Sequence, residues 1–164
     1  MDRGGWDGFF RKYRGLSSSL GKFLELRPIL LDTNAYTAFK RNISEAVEII
    51  RNTPLIGLNS IILGELYSGF ALDSREEYNR RELKQFLEIS KINRLAIDSD
   101  TAEYYAKDYS DLRKKGNPIP TNDMWIAATA LQYNLALFSY DKHFRAVDGL
   151  ITGNSSADFA IIPI

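Results

Sequence analysis

The sequence predicts an α/β fold: one domain with a mostly parallel sheet of four to five strands and helices on both faces. Short apolar runs alternate along the chain with helical stretches long enough to cross back over a sheet, as parallel strands require. The length of 164 residues and the 45% hydrophobic content suit a single globular domain that can bury a core.

The first strand is 29–32, where Ile29, Leu30 and Leu31 run into Asp32. Helical text follows over 34–40 and 44–52, and 54–58 reads as a second strand. Ser60 is placed to cap the next helix, SIILGELYSGFAL, in which Ile61, Ile62, Leu66 and Phe70 form an apolar face. A longer, highly charged helix covers about 75–90, with Tyr78, Leu83, Phe86, Leu87 and Ile89 directed inward. A third strand at 94–97 leads to Ser99, the expected cap of a helix through Lys115. Gly116 stops that helix ahead of the rigid connector Asn117-Pro118-Ile119-Pro120. Thr121 or Asn122 begins another helix, to about Tyr133; 135–139 is the fourth strand and 159–162 the expected fifth.

Residues 1–27 read as an N-terminal extension of the 28–164 domain, with a short amphipathic helix over about 9–26. A start site assigned too far upstream explains them equally well. They lack a secretory apolar core, and Asp2, Asp7 and Glu25 argue against a transit peptide. No apolar stretch approaches a membrane span, so the expectation is a cytoplasmic protein without a membrane partner.

Composition narrows the chemistry. With no cysteine and one histidine, His143, thiolate sites, cysteine nucleophiles and multi-histidine metal sites are excluded. Lysine plus arginine and aspartate plus glutamate balance at 21 each, so any nucleic-acid binding depends on a local patch. Carboxylates, hydroxyls, amides and cations must do the work.

A carboxylate at the tip of a buried strand is expensive, because desolvation penalises charge. Asp32 sits at such a tip. In open parallel sheets ligands bind beyond the carboxyl ends of the strands, and the connecting helices begin at that same edge. Asp141 follows the fourth strand in LFSYDKHF, and Asp123 lies in the first turn of TNDMWIAATAL. Glu65 lies about five residues into its helix, roughly 7 Å below the rim at 1.5 Å per residue, within reach of a long side chain. Gly64 and Gly69 flank it at about 1 kcal/mol each relative to alanine, which suggests close helix packing, as do Ala127, Ala128 and Ala130. Four acids meeting in apolar surroundings repel, and a divalent cation relieves both the repulsion and the burial. An all-oxygen set points to Mg²⁺ or Mn²⁺.

Singly, each acid has a plainer explanation. Asp123 suits the positive end of a helix dipole, Asp141 an Asx-turn, and Glu65 a solvated helix face. Asp98 also ends a strand, yet with Ser99 and Asp100 after it, it fits a helix cap equally well; strand order decides.

Taken together, LLDTN, ILGELYSG, NDMWIAATAL and LFSYDKHF resemble, in order and spacing, the PIN domain of the VapC-type toxin ribonucleases over about 28–144. The resemblance implies that Asp32, Glu65, Asp123 and Asp141 are catalytic and metal-binding, with Thr33, Asn34, Asn122 and Ser139 as supporting polar groups. Asp98 matches no ligand of the family, and the extension is a departure from it. The implied chemistry is Mg²⁺- or Mn²⁺-assisted hydrolysis of RNA phosphodiesters, served by one ion or by two about 3.5–4 Å apart. Lys40, Arg41, Lys142, His143 and Arg145 are the candidate RNA contacts.

The same resemblance implies a homodimer and a VapB-type antitoxin whose segment fills an apolar groove near the acids. Tyr36, Phe39, Tyr67 and Phe70 belong either to that groove or to the core. Two other classes fit less well. A haloacid-dehalogenase phosphatase needs a second aspartate where Asn34 stands, and a signalling receiver needs paired acids near the first strand and a late lysine at a strand end. An RNA-processing nuclease without an antitoxin, and a non-catalytic PIN-like binding module, remain the alternatives.

Overall fold

The computed structural model describes residues 25–161. Its sheet is five-stranded and wholly parallel, in the order β3-β2-β1-β4-β5. The strands are β1 (Ile29–Leu31), β2 (Ile56–Asn59), β3 (Ile92–Leu95), β4 (Ala136–Phe138) and β5 (Thr152–Gly153). The helices are α1 (Thr33–Lys40), α2 (Ser44–Asn52), α3 (Ser60–Ala71), α4 (Glu76–Leu87), α5 (Ser99–Lys114), α6 (Thr121–Gln132) and the single-turn α7 (Ser156–Phe159). A 3₁₀ turn, Lys142–Ala146, lies between β4 and β5.

β1 is the middle strand and every residue of it is buried. Chain order runs outward from it through β2 to β3, then returns to place β4 on its other flank, Leu31 opposite Phe138. The connections leaving β1 and β4 therefore diverge, which opens a crevice at their carboxyl ends. β3 is an edge strand separated from β1 by β2, so Asp98 is remote from that crevice. There Asp98 caps α5, accepting from the backbone of Asp100 and Thr101, while the Thr101 hydroxyl accepts from the Asp98 N–H. Strand order settles the ambiguity of Asp98 in favour of the cap.

Several element boundaries differ from the sequence expectation for local reasons. Asn59, the last residue of β2, caps α3 in place of Ser60: its side-chain Oδ1 accepts from Ile62 N–H at 2.9 Å. Asp98 caps α5 in place of Ser99. Tyr78 is exposed beneath the Arg75 guanidinium at 4.4 Å, and Leu83, Phe86 and Leu87 form the buried face of α4. Gly64 and Gly69 lie on an exposed face with nothing within 4 Å of an added Cβ, so close packing does not account for them. The tight approach falls instead at Gly57, where a Cβ would stand 2.5 Å from Leu95 Cδ1. Gly116, at φ +68, ends α5 as expected, and Ala127, Ala128 and Ala130 are fully buried.

The fifth strand is Thr152–Gly153 rather than 159–162. Asp158 accepts from the backbone N–H groups of Asn154 and Ser155, and this cap turns 156–159 into a helical turn. Phe159 then enters the core, 5.7 Å from the Phe138 ring. Ala160 forms an antiparallel bridge with Leu26, which is itself buried, so Leu26 packs with the domain. The amphipathic helix expected over about 9–26 lies almost wholly outside the described residues, as does Ile162. Among the described residues no helix is long and apolar enough to cross a membrane.

A core role for Phe159 gives a direct expectation. Phe159→Ala should lower unfolding stability by about 3–5 kcal/mol, read from the urea midpoint at unchanged slope. A loss below about 1 kcal/mol would mean a residue at the sheet edge instead.

Candidate active site

Asp32 leaves β1 with its N–H still on the Phe138 carbonyl (3.0 Å), then caps α1 through Thr33 N–H (2.8 Å). It is 6% exposed. Its other oxygen accepts the Ser139 hydroxyl at 2.6 Å. That hydroxyl accepts in turn from Asp141 N–H at 3.0 Å and, more weakly, from the Asn34 amide at 3.4 Å. The Asn34 carbonyl accepts from Tyr140 N–H at 3.1 Å. Ser139 and Asn34 thus fasten the turn after β1 to the turn after β4, holding Asp32 and Asp141 in register.

Asp123 occupies the first turn of α6 and Glu65 the second turn of α3. These helices are tied by Asn59, whose amide donates to Thr129 on α6 at 2.9 Å. Asp32, Glu65, Asp123 and Asp141 line one cleft of about 670 Å³, together with Thr33, Asn34 and Arg41. Among the described lining residues Arg41 alone is a cation.

The electrostatics follow from burial that hydrogen bonds offset only in part. Burial pushes Asp32 above the ordinary carboxylate range, opposed by the Ser139 and Thr33 hydrogen bonds and reinforced by Asp123 and Asp141. Glu65 is raised by burial, then by Asp32 and Asp123. Asp123 is raised by burial, relieved in part by His143 and raised again by Asp141. Glu65 Oε1 is buried with no hydrogen-bond partner. An orphaned carboxylate oxygen beside two raised aspartates is what an oxygen-ligated divalent cation would satisfy, so the residues present fit such an ion.

The supporting residues divide. Thr33 contributes its backbone N–H, its hydroxyl being buried without a partner. Asn122 is exposed and does not line the cleft. Lys40 is ion-paired with Glu82 on α4 and does not line the cleft. Arg41 does line the cleft, and Lys142 and Arg145 are exposed on the 3₁₀ turn beside Asp141. His143 turns to the acids, with Nδ1 at 3.1 Å from Asp141 and 3.4 Å from Asp123. Tyr36 and Phe39 are core residues packed on Phe86, which leaves Tyr67 and Phe70 as the partly buried aromatic pair of α3.

Sequence reasoning missed four lining residues, Thr37, Ala38, Ile43 and Tyr140. Thr37 lies one helical turn beyond Thr33, a spacing that would have revealed it. Ile43 is presented by the turn at Asn42, whose φ of 58° no pattern of hydrophobicity announces.

The raised carboxylates set a pH expectation for the metal-free protein. Folding lifts the pKa values of Asp32 and Asp123 above 3.8 and of Glu65 above 4.5, so the folded state holds protons the unfolded chain has already lost. The stability this brings is complete below those ordinary values and disappears as pH rises through the raised ones. In EDTA, the melting temperature of Asp32→Asn relative to the wild type should therefore rise as pH goes from 4 to 7. A variant no more stable at pH 7 than at pH 4, relative to wild type, would contradict a net burial penalty on this charge.

Residues 29–150 match the family model for the PIN domain. Ribonuclease VapC2 of Rickettsia felis is 30% identical over 76% of this chain and 96% of its own length. Ribonuclease VapC4 of Mycobacterium tuberculosis is 33% identical over 56% of this chain and 70% of its own. Among solved structures, VapBC2 from Rickettsia felis bound to a promoter DNA fragment has a chain that superposes with a TM-score of 0.68 at 26% identity, covering 78% of this chain and 98% of that one. FitAcB from Neisseria gonorrhoeae superposes with a TM-score of 0.63 at 30% identity, covering 77% and 96%. With most of its length matched by the family model and nearly all of the Rickettsia relative aligned to it, the chain belongs to the PIN-domain family, as a relative of the VapC ribonucleases.

Proposed function

We propose that the protein is a divalent-metal-dependent endoribonuclease, the toxin half of a toxin–antitoxin pair. The observation that carries this reading is the cleft itself: four carboxylates from four elements, one of them with an orphaned buried oxygen, against one cation among the described lining residues. The kinship to proteins named ribonuclease VapC supports RNA as the substrate. Solved VapBC complexes among the structural neighbours support an antitoxin partner.

Asp32, Glu65, Asp123 and Asp141 would hold the ion, Mg²⁺ or Mn²⁺. When bound, it supplies polarisation of the scissile phosphate and a water acidic enough to attack at neutral pH. Ser139 orients Asp32 with its hydroxyl while accepting from Asp141 N–H, so one side chain sets two ligands at once. Asn34 locks the backbone at Tyr140 and keeps the two turns from separating. As the attacking water's oxygen bonds to phosphorus and the bridging P–O bond breaks, Asp123 or Asp141 would take the water's proton, and the departing ribose oxygen would be protonated from solvent. Arg41 at the cleft, with Lys142 and Arg145 beside it, holds the RNA phosphates, and the half-exposed Tyr140 presents a ring on which a base can stack. The protein acts as a homodimer, and an antitoxin segment carrying a basic side chain restrains it by entering the acidic cleft.

Purified protein should cleave RNA with Mg²⁺ or Mn²⁺ and stop with EDTA. Asp32→Asn should lose at least about a hundredfold in rate while remaining folded. Cleavage undiminished in EDTA would contradict the metal assignment. In cells, expression should arrest growth in a manner that requires Asp32 and is relieved by a co-expressed genomic neighbour. RNA cleavage in vitro without any growth effect would favour an RNA-processing role, and absence of cleavage under every metal a binding module.

A further inference from the structure

We propose that His143 is a further metal ligand, placing an imidazole nitrogen in the acidic cleft and biasing it from Mg²⁺ toward transition ions. The inference rests on the reading of the cleft as a divalent-cation site.

His143 is 54% exposed, so burial does not force its ring against the acids. Its Nδ1 nevertheless stands 3.1 Å from Asp141 Oδ1 and 3.4 Å from Asp123 Oδ2. Asp123, Asp141 and His143 each offer a ligand atom, all within 4.8 Å of one another. The position is built into the backbone. Asp141 caps the 3₁₀ turn by accepting His143 N–H at 2.9 Å, and the next residue, Phe144, is fully buried and pins the turn to the core.

A hydrogen bond alone accounts poorly for this arrangement. A single proton on Nδ1 can be donated well to only one carboxylate, which leaves the 3.4 Å contact to Asp123 a long and weak one. A shared ion would satisfy the nitrogen and both carboxylates together, since neighbouring ligands of an octahedral ion with bonds of about 2.1 Å lie about 3 Å apart. Imidazole nitrogen adds affinity for transition ions while Mg²⁺ prefers oxygen, so the ligand changes selectivity as well as strength.

The chain has one histidine, which permits assignment without mutation. Tag-free full-length protein is loaded with Mn²⁺ and studied by pulsed electron paramagnetic resonance. Modulation from a coordinated ¹⁴N should be present, and should change to the ¹⁵N pattern when histidine alone is ¹⁵N-labelled. His143→Ala should remove the modulation and weaken Mn²⁺ binding about tenfold, with Mg²⁺ binding changed less than about threefold. Bound Mn²⁺ without nitrogen modulation would overturn the role of His143 and leave the acidic site standing. Mn²⁺ that stays free at millimolar concentration would overturn the metal site and this inference together.

Discussion

The buried carboxylate of Asp32 is the constraint around which the rest is arranged. It stands at the end of the central strand, 6% exposed, where desolvation works against its charge. The Thr33 N–H and the Ser139 hydroxyl satisfy its two oxygens, and the second of these reaches across from the neighbouring strand. Because the Ser139 hydroxyl also accepts from Asp141 N–H, whatever holds Asp32 also positions Asp141. The like charges of Asp123 and Asp141 raise its pKa further, so the protein by itself leaves the cluster short of positive charge.

Sheet topology is what makes such a cluster possible. With β1 central and β4 returning to its far side, the chain leaves two adjacent strands in opposite directions. Asp32 and Ser139 fall on either side of that divergence. The helices α3 and α6 begin at the same edge and bring Glu65 and Asp123, linked by the buried Asn59–Thr129 hydrogen bond. Asn59 is fully buried and serves both as the cap of α3 and as the strut to α6, so the geometry of the acids depends on a residue that never touches the cleft.

Most of this was legible in the chain because it follows from strand order along the sequence and from the rule that parallel strands present one edge to a ligand. Asp32 announced itself by ending an apolar run, and Asp123 and Asp141 by their places at a helix start and after a strand. Other features depend on contacts between segments far apart in sequence. The residue pattern around Asp98 left it between cap and cluster, and the place of β3 at the sheet edge separates it from the acids. A two-residue strand such as Thr152–Gly153 carries too little pattern to outweigh the apolar text around Phe159, which belongs to the core. The Lys40–Glu82 ion pair, and the 3₁₀ turn that faces His143, a candidate RNA contact, toward Asp123 and Asp141, likewise depend on such contacts. Gly64 and Gly69 have no packing explanation in the structure.

The central claim is that Asp32, Glu65, Asp123 and Asp141 form one cation site. Anomalous diffraction from crystals of the protein grown with Mn²⁺ tests it most directly. The account predicts an anomalous peak in the cleft within bonding distance, about 2–2.5 Å, of oxygens from these carboxylates. A peak bound elsewhere, or a cleft free of metal at millimolar Mn²⁺ with the carboxylates in place, would contradict it.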